Sequence, residues 1–141
     1  MTKIFLAASM NFYEELVSIE SKLLSLGFEV EIPVSAKLMK QKNDFIVEHF
    51  KGKTTSEQKG KYIKENFNNI SSSNALLVIN NEKNNIQGYI GPNVLMEIGL
   101  AFHLNKTIYI WNQYPLDASY KDEMLALGVI VINRDLSKIH V

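Results

Sequence analysis

The sequence contains no cysteine. Disulfides, thiol nucleophiles and cysteine-ligated zinc are therefore excluded. Arginine is nearly missing as well, with Arg134 the single guanidinium of the chain. There is no charge bias: 15 basic side chains balance 15 acidic ones, for a formal net charge of +0. That balance favours neither a nucleic-acid polymer nor an anionic membrane as partner. No apolar run approaches the ~18 residues of a membrane span. The histidines, at positions 49, 103 and 140, are too scattered to suggest a metal site. No metal and no cofactor are expected.

What is present is an ordinary core. Hydrophobic residues make up 46% of 141, enough for one domain spanning residues 1–141. At the amino end, the apolar run from Ile4 to Ala8 is short, and Glu14 and Glu15 follow. It reads as a strand, not as a signal segment, and a cytoplasmic location is the corresponding expectation. Lys51, Lys53, Lys59, Lys61 and Lys64 read as a solvated helix face. There are no repeats, and only the serine run at 71–73 is of low complexity.

KIFLAA, FEVEIP, ALLVIN, TIYIW and GVIVI are short, nearly continuous apolar runs. Between them, apolar residues recur at helical spacing. Phe12, Leu16, Ile19, Leu23, Leu24 and Leu26 form one set, ended by Gly27. Tyr62, Ile63, Phe67 and Ile70 predict a helix over 56–73, and further helices are predicted over 93–104 and 120–127. Residues 35–60 are the least legible: one short helix is expected there, with a mobile stretch near KGKTTSEQKG. Continuous apolar strands alternating with helices predict an α/β fold, a five-stranded doubly wound parallel sheet covered on both faces.

Such sheets bind ligands beyond the carboxyl ends of their strands. The loop after the third strand leads into GYIGPNVLMEIGLAFHLN. Gly88 and Gly91 permit tight turns or close backbone approach, and Pro92 suits a first helical turn. The free N–H groups at that helix start suit an anion, although a plain loop and cap reads equally from the residues. Glu97 is the one acid of this segment. It shares a helix face with Val94, Ala101 and Leu104, while Met96, Ile98 and Leu100 make the helix apolar nearly all round. A carboxyl group on a buried helix must be bonded, paired or raised in pKa, which marks it as a nucleophile or acid/base candidate. An acid near a helix N-terminus, stabilised by the dipole and partly exposed, is the plainer alternative. His103 points away from the Glu97 face, and Asp117, Asp122 and Glu123 read as caps of the short helix near 120.

KIFLAASM, ALLVIN and GYIGPNVLMEIGLAFHLNKTIYI resemble the nucleoside 2-deoxyribosyltransferase superfamily, which includes the 2'-deoxynucleoside 5'-phosphate N-hydrolases. The resemblance covers residues 1–33 and roughly 65–135. Glu97, Gly99, Ala101 and Lys106 fall at the fixed places of the family's helix motif. It implies a flavodoxin-like fold, a homo-oligomer, and cleavage or transfer at the N-glycosidic bond of a nucleoside or its 5'-monophosphate. The resemblance makes Glu97 the nucleophile at C1' and Asn74 the residue that orients the base. Ser9, Met10, Gly88, Gly91 and Asn93 then line the sugar or phosphate site. Phe5 stands where family enzymes often carry a tyrosine, and Asn74 where they carry an aspartate. Tyr13, Tyr89 and the Asp117–Glu123 region are candidates to supply the missing acid/base groups. Those departures leave a second reading open, a nucleotide-binding or sensor module that keeps the pocket without the chemistry.

Overall fold

The computed structural model describes residues 1–41 and 54–140. Every apolar run becomes a strand. In chain order the elements are β1 (Lys3–Ala8), a 3-10 turn (Met10–Phe12), α1 (Tyr13–Ser25), β2 (Glu29–Glu31) and α2 (Val34–Gln41). Then come α3 (Ser56–Ser71), β3 (Ala75–Ile79), α4 (Pro92–His103), β4 (Thr107–Ile110), α5 (Lys121–Ala126), β5 (Ile130–Val131) and a 3-10 turn (Leu136–Lys138). All pairings are parallel, in the order β2-β1-β3-β4-β5. This is the flavodoxin-like doubly wound arrangement, and the chain changes winding direction between β1 and β3.

Strand periodicity divides the core into two layers. Ile4, Leu6, Leu77 and Tyr109 face Leu16, Ile19 and Leu23 of α1. Phe5, Ala7, Leu76, Val78, Ile108 and Ile110 face Val94, Ile98 and Ala101 of α4, together with Ile70 and Met124. β3 is buried along its whole length, and each large aliphatic side chain so buried contributes roughly 1.5–3 kcal/mol. The edge strand β2 is short because Glu29 and Glu31 alternate with Val30 and Pro33 follows. Glu31 is ion-paired with Lys37 and, at 3.9 Å, with Lys3.

The short helix expected within residues 35–60 is α2, with Ala36 and Met39 buried. Two expectations need correction. Thr54–Gly60, expected to be mobile, instead starts α3. The Thr55 hydroxyl accepts from Gln58 N at 3.1 Å, and the Gln58 side chain accepts from Thr55 N at 3.1 Å, a reciprocal cap. The rest of that stretch, and the region around Phe45–Phe50, lie outside the described residues. Finally, α4 is not buried all round: Met96 and Phe102 are exposed, while Val94, Glu97, Ile98 and Ala101 form the buried face. Asp122 and Glu123 do lie in the first turn of α5, but no side chain caps it. Ile139, in the carboxyl-terminal tail, docks into the α1-side layer. No helix among the described residues is long and apolar enough to cross a membrane.

Candidate active site

The carboxyl ends of β1 and β3 open into a cleft of about 400 Å³, within the range of small-molecule sites (roughly 300–1,000 Å³). Four walls contribute. Ser9, Met10 and Asn11 come from the turn after β1. Lys59, Tyr62, Ile63, Asn66 and Phe67 come from α3. Lys83 and Tyr89 come from the β3–α4 loop, and Gly91, Asn93, Met96 and Glu97 from the start of α4.

The loop walls are held rigidly. Asn84 and Asn85 adopt left-handed conformations, with φ of 53° and 61°. They form a two-residue hairpin turn closed by reciprocal bonds between Lys83 and Ile86, at 3.1 and 2.9 Å. Gly88 follows with φ +71°, and a Cβ there would sit 2.0 Å from the Gln113 carbonyl oxygen. Beneath the hairpin, the fully buried Asn80 binds both neighbours. Its Nδ2 donates to the carbonyls of Gly88 (3.2 Å) and Asn112 (2.8 Å), and its Oδ1 accepts from Asn112 N (2.8 Å). A buried amide with these partners is satisfied, and it ties the ends of β3 and β4 to the loop. The Lys83 ammonium lies 5.0 Å from the centre of the Tyr89 ring, a cation–π distance. Ser9 in turn donates to Asn11 Oδ1 at 3.0 Å, which fixes the turn after β1.

Glu97 is placed by α4. Gly91 is the N-cap without a side-chain bond and Pro92 occupies the first turn, so Glu97 falls in the second turn on the buried face. It is 6% exposed. Among the described residues its carboxyl group has no ion pair and no hydrogen bond, with Lys106 or any other cation. Burial alone pushes its pKa from 4.5 up to about 8, because the charged form loses hydration without gaining a partner. Glu97 nevertheless lines the cleft, so the group is open to a ligand. It is the one carboxyl group among the lining residues, whereas two ammonium groups, Lys59 and Lys83, stand in the same walls.

Of the residues singled out in the sequence, Ser9, Met10, Tyr89, Gly91, Asn93 and Glu97 meet in this cleft. Three do not. Phe5 is fully buried in the α4-side layer. Gly88 shapes the loop from outside the lining. Asn74 is misplaced by the sequence reading: it precedes β3 at the amino end, exposed, where its backbone N–H donates to the Lys3 carbonyl and its Oδ1 accepts from Lys3 N, both at 2.8 Å. A parallel sheet puts its site at the opposite end of that strand, so Asn74 is a sheet-edge residue. Tyr13 borders a separate hollow with Glu14, Glu15 and Asn81. His103 and Asp117 are exposed outside the cleft.

The sequence reading missed the α3 wall. Tyr62, Ile63 and Phe67 served there only to predict a helix; of that set α3 buries only Ile70, and the other three line the cleft. The available signal was two aromatics and an asparagine on one face of an otherwise charged helix. Lys59, read as part of a solvated face, also lines the cleft.

No protein-family model matches the chain, and no curated protein matches it in sequence. Solved structures do match. A 2-deoxyribosyltransferase from Bacillus psychrosaccharolyticus superposes with a TM-score of 0.57 at 18% identity, over 77% of this chain and 71% of that one. The CMP N-glycosidase BcmB of Clostridium botulinum superposes with a TM-score of 0.56 at 17% identity, over 95% and 90%. FerB of Paracoccus denitrificans, a flavoenzyme NAD(P)H:acceptor oxidoreductase, gives 0.50 at 14% identity, over 100% and 79%. At such identities the likeness is one of fold, and a fold does not fix a chemistry. The chain shares its doubly wound α/β fold with a deoxyribosyltransferase and an N-glycosidase, structural neighbours from the superfamily that its helix motif resembles.

Proposed function

We propose that this protein cleaves or transfers at the N-glycosidic bond of a nucleoside or nucleoside 5'-monophosphate, with Glu97 as nucleophile. The observation that carries the reading is Glu97 itself: a carboxyl group 6% exposed, without a partner among the described residues, lining the cleft. A structural acid would be expected to hold a cation or a backbone donor.

In this mechanism a Glu97 carboxylate oxygen attacks C1'. The C1'–N bond breaks and its electron pair leaves with the base, giving a glycosyl ester of Glu97. Water, or a second base in a transfer reaction, then attacks C1' and releases the carboxylate. The transition state carries positive charge on the sugar ring, and the adjacent carboxylate stabilises it. Glu97 must lose its proton before it attacks, because burial holds the carboxyl group largely protonated at neutral pH. The departing base takes a proton from water or from the other titratable groups of the walls, Lys59, Lys83, Tyr62 and Tyr89. The lysines also offer a phosphate two cations at the rim.

The test is direct. Purified protein is incubated with deoxynucleosides and their monophosphates, with and without a free acceptor base, and base release is followed by chromatography. Release or exchange above a Glu97→Ala control is expected, and its absence for every substrate counts against the reading.

One observation favours a second reading, a nucleotide-binding module without turnover: the cleft holds no second carboxylic acid among its described residues to protonate the leaving base. Thermal shift separates the two. A ligand at a hundredfold excess over Kd stabilises by about 2.7 kcal/mol, and stabilisation without base release identifies the module.

A further inference from the structure

Beyond Lys59, the α3 wall carries one amide side chain among aromatic and aliphatic ones. Tyr62, Ile63 and Phe67 line the cleft, and Asn66 lies between them on the same helix face. Its orientation is fixed by chemistry. Val34 N donates to Asn66 Oδ1 at 3.0 Å, and a backbone N–H can only donate, so the oxygen must face α2. That bond satisfies the first N–H of α2. The amide nitrogen is left with no partner among the described residues, yet it is not a sealed, orphaned atom of the interior. With its oxygen turned to α2, the group Asn66 has left to offer a ligand in the cleft is its Nδ2 donor.

We propose that Asn66 selects the base, donating through Nδ2 to a keto oxygen on its outer edge. This rests on the glycosidic reading of the cleft. A base has flat apolar faces, which suit Tyr62 and Phe67, and a polar edge, which suits one amide. C1' must lie against Glu97 on α4 with the glycosidic nitrogen on its far side, so the base edge farthest from the sugar is the one that reaches α3. That edge carries the exocyclic group, a keto oxygen in hypoxanthine and uracil, an amino group in adenine and cytosine. An amino group facing Nδ2 leaves two donors opposed. The 6-oxopurine and 4-oxopyrimidine substrates are preferred to their amino counterparts.

Two matched pairs, deoxyinosine with deoxyadenosine and deoxyuridine with deoxycytidine, all as 5'-monophosphates, test this. For each, kcat/KM and, independently of turnover, affinity by thermal shift are measured. Wild type favours the oxo member by about tenfold or more, the value of one discriminating hydrogen bond. Asn66→Asp keeps an oxygen for Val34 N and replaces the donor by an acceptor, so the preference inverts. Asn66→Ser shortens the side chain and removes the Nδ2 arm that reaches the base edge, so the preference falls toward unity, and this variant stands in if the Asp variant does not fold. A purely structural Asn66 would move stability and leave the ratios unchanged, and unchanged ratios overturn the proposal. Turnover with unchanged ratios refutes Asn66 alone. Inverted affinities without turnover uphold Asn66 and refute the enzyme. No binding and no turnover of any member refutes both.

Discussion

Glu97→Gln should make the protein more stable at alkaline pH and change little in acid. Glutamine has the same shape and stays neutral, so the variant removes only the cost of ionising a buried acid. In the unfolded chain the carboxyl group titrates near 4.5; in the fold, burial pushes it up to about 8. The folded state therefore binds more protons than the unfolded state between those values, and stability falls as pH rises through the window. Below the unfolded value nothing is lost, and above the folded value the loss is complete. At ~1.36 kcal/mol per pH unit of separation, the loss is on the order of 3 kcal/mol at neutral pH and ~5 kcal/mol above the window. Urea unfolding of both proteins in buffers from about pH 5 to about pH 9 measures it, because the difference between them cancels every other titrating group. The midpoints should be close in acid and diverge with pH, the variant being the more resistant. Parallel profiles would show that Glu97 is ionised at no cost, and that a partner or solvent reaches it in the folded state.

Three further outcomes follow from the same geometry. If the ionised form of Glu97 is the nucleophile, kcat/KM should rise about tenfold per pH unit below the free-enzyme pKa and level off above about 8; a rate that falls through that value would make Glu97 an acid instead. Gly88→Ala should cost several kcal/mol in unfolding free energy, roughly 3 or more, since it adds a clash with the Gln113 carbonyl to a left-handed backbone, whereas Gly60→Ala, in open space within α3, should stabilise by about 0.5–1 kcal/mol. Lys59→Gln with Lys83→Gln should raise KM about tenfold or more for a nucleoside monophosphate and leave the unphosphorylated nucleoside nearly unaffected, the loss of charge-assisted bonds to phosphate; equal effects on both substrates would remove the phosphate from the rim.

The sheet was legible chiefly in its central strands, because β1, β3 and β4 are buried on both sides and their residues are apolar almost without interruption. ALLVIN and KIFLAA admit little else once helical spacing appears between them. Glu97 was legible for the converse reason, as one acid on an apolar helix face. Asn74 and α3 show where local pattern stops. Whether an asparagine beside an apolar run stands at its amino or carboxyl end is visible in the sequence, but only the parallel direction of the sheet says which end holds the site. Asn80, at the carboxyl end of the same run, is the one that organises the loop. The helix face carrying Tyr62, Asn66 and Phe67 has core periodicity; that it borders a cleft depends on how α3 meets α4 across the sheet. Helix α2 carries too few apolar residues to announce itself and is fixed by contacts distant in sequence, among them Asn66 on its first N–H.

The central claim is that Glu97 attacks the sugar, and trapping the intermediate tests it most directly. The protein is mixed with a nucleoside monophosphate substrate, quenched in acid during turnover, digested, and its peptides are weighed by mass spectrometry. The account predicts one added sugar phosphate or sugar, mapped to Glu97 and missing from Glu97→Gln, which also releases no base. A sugar adduct on another side chain, or base release by Glu97→Gln at the wild-type rate, would contradict it.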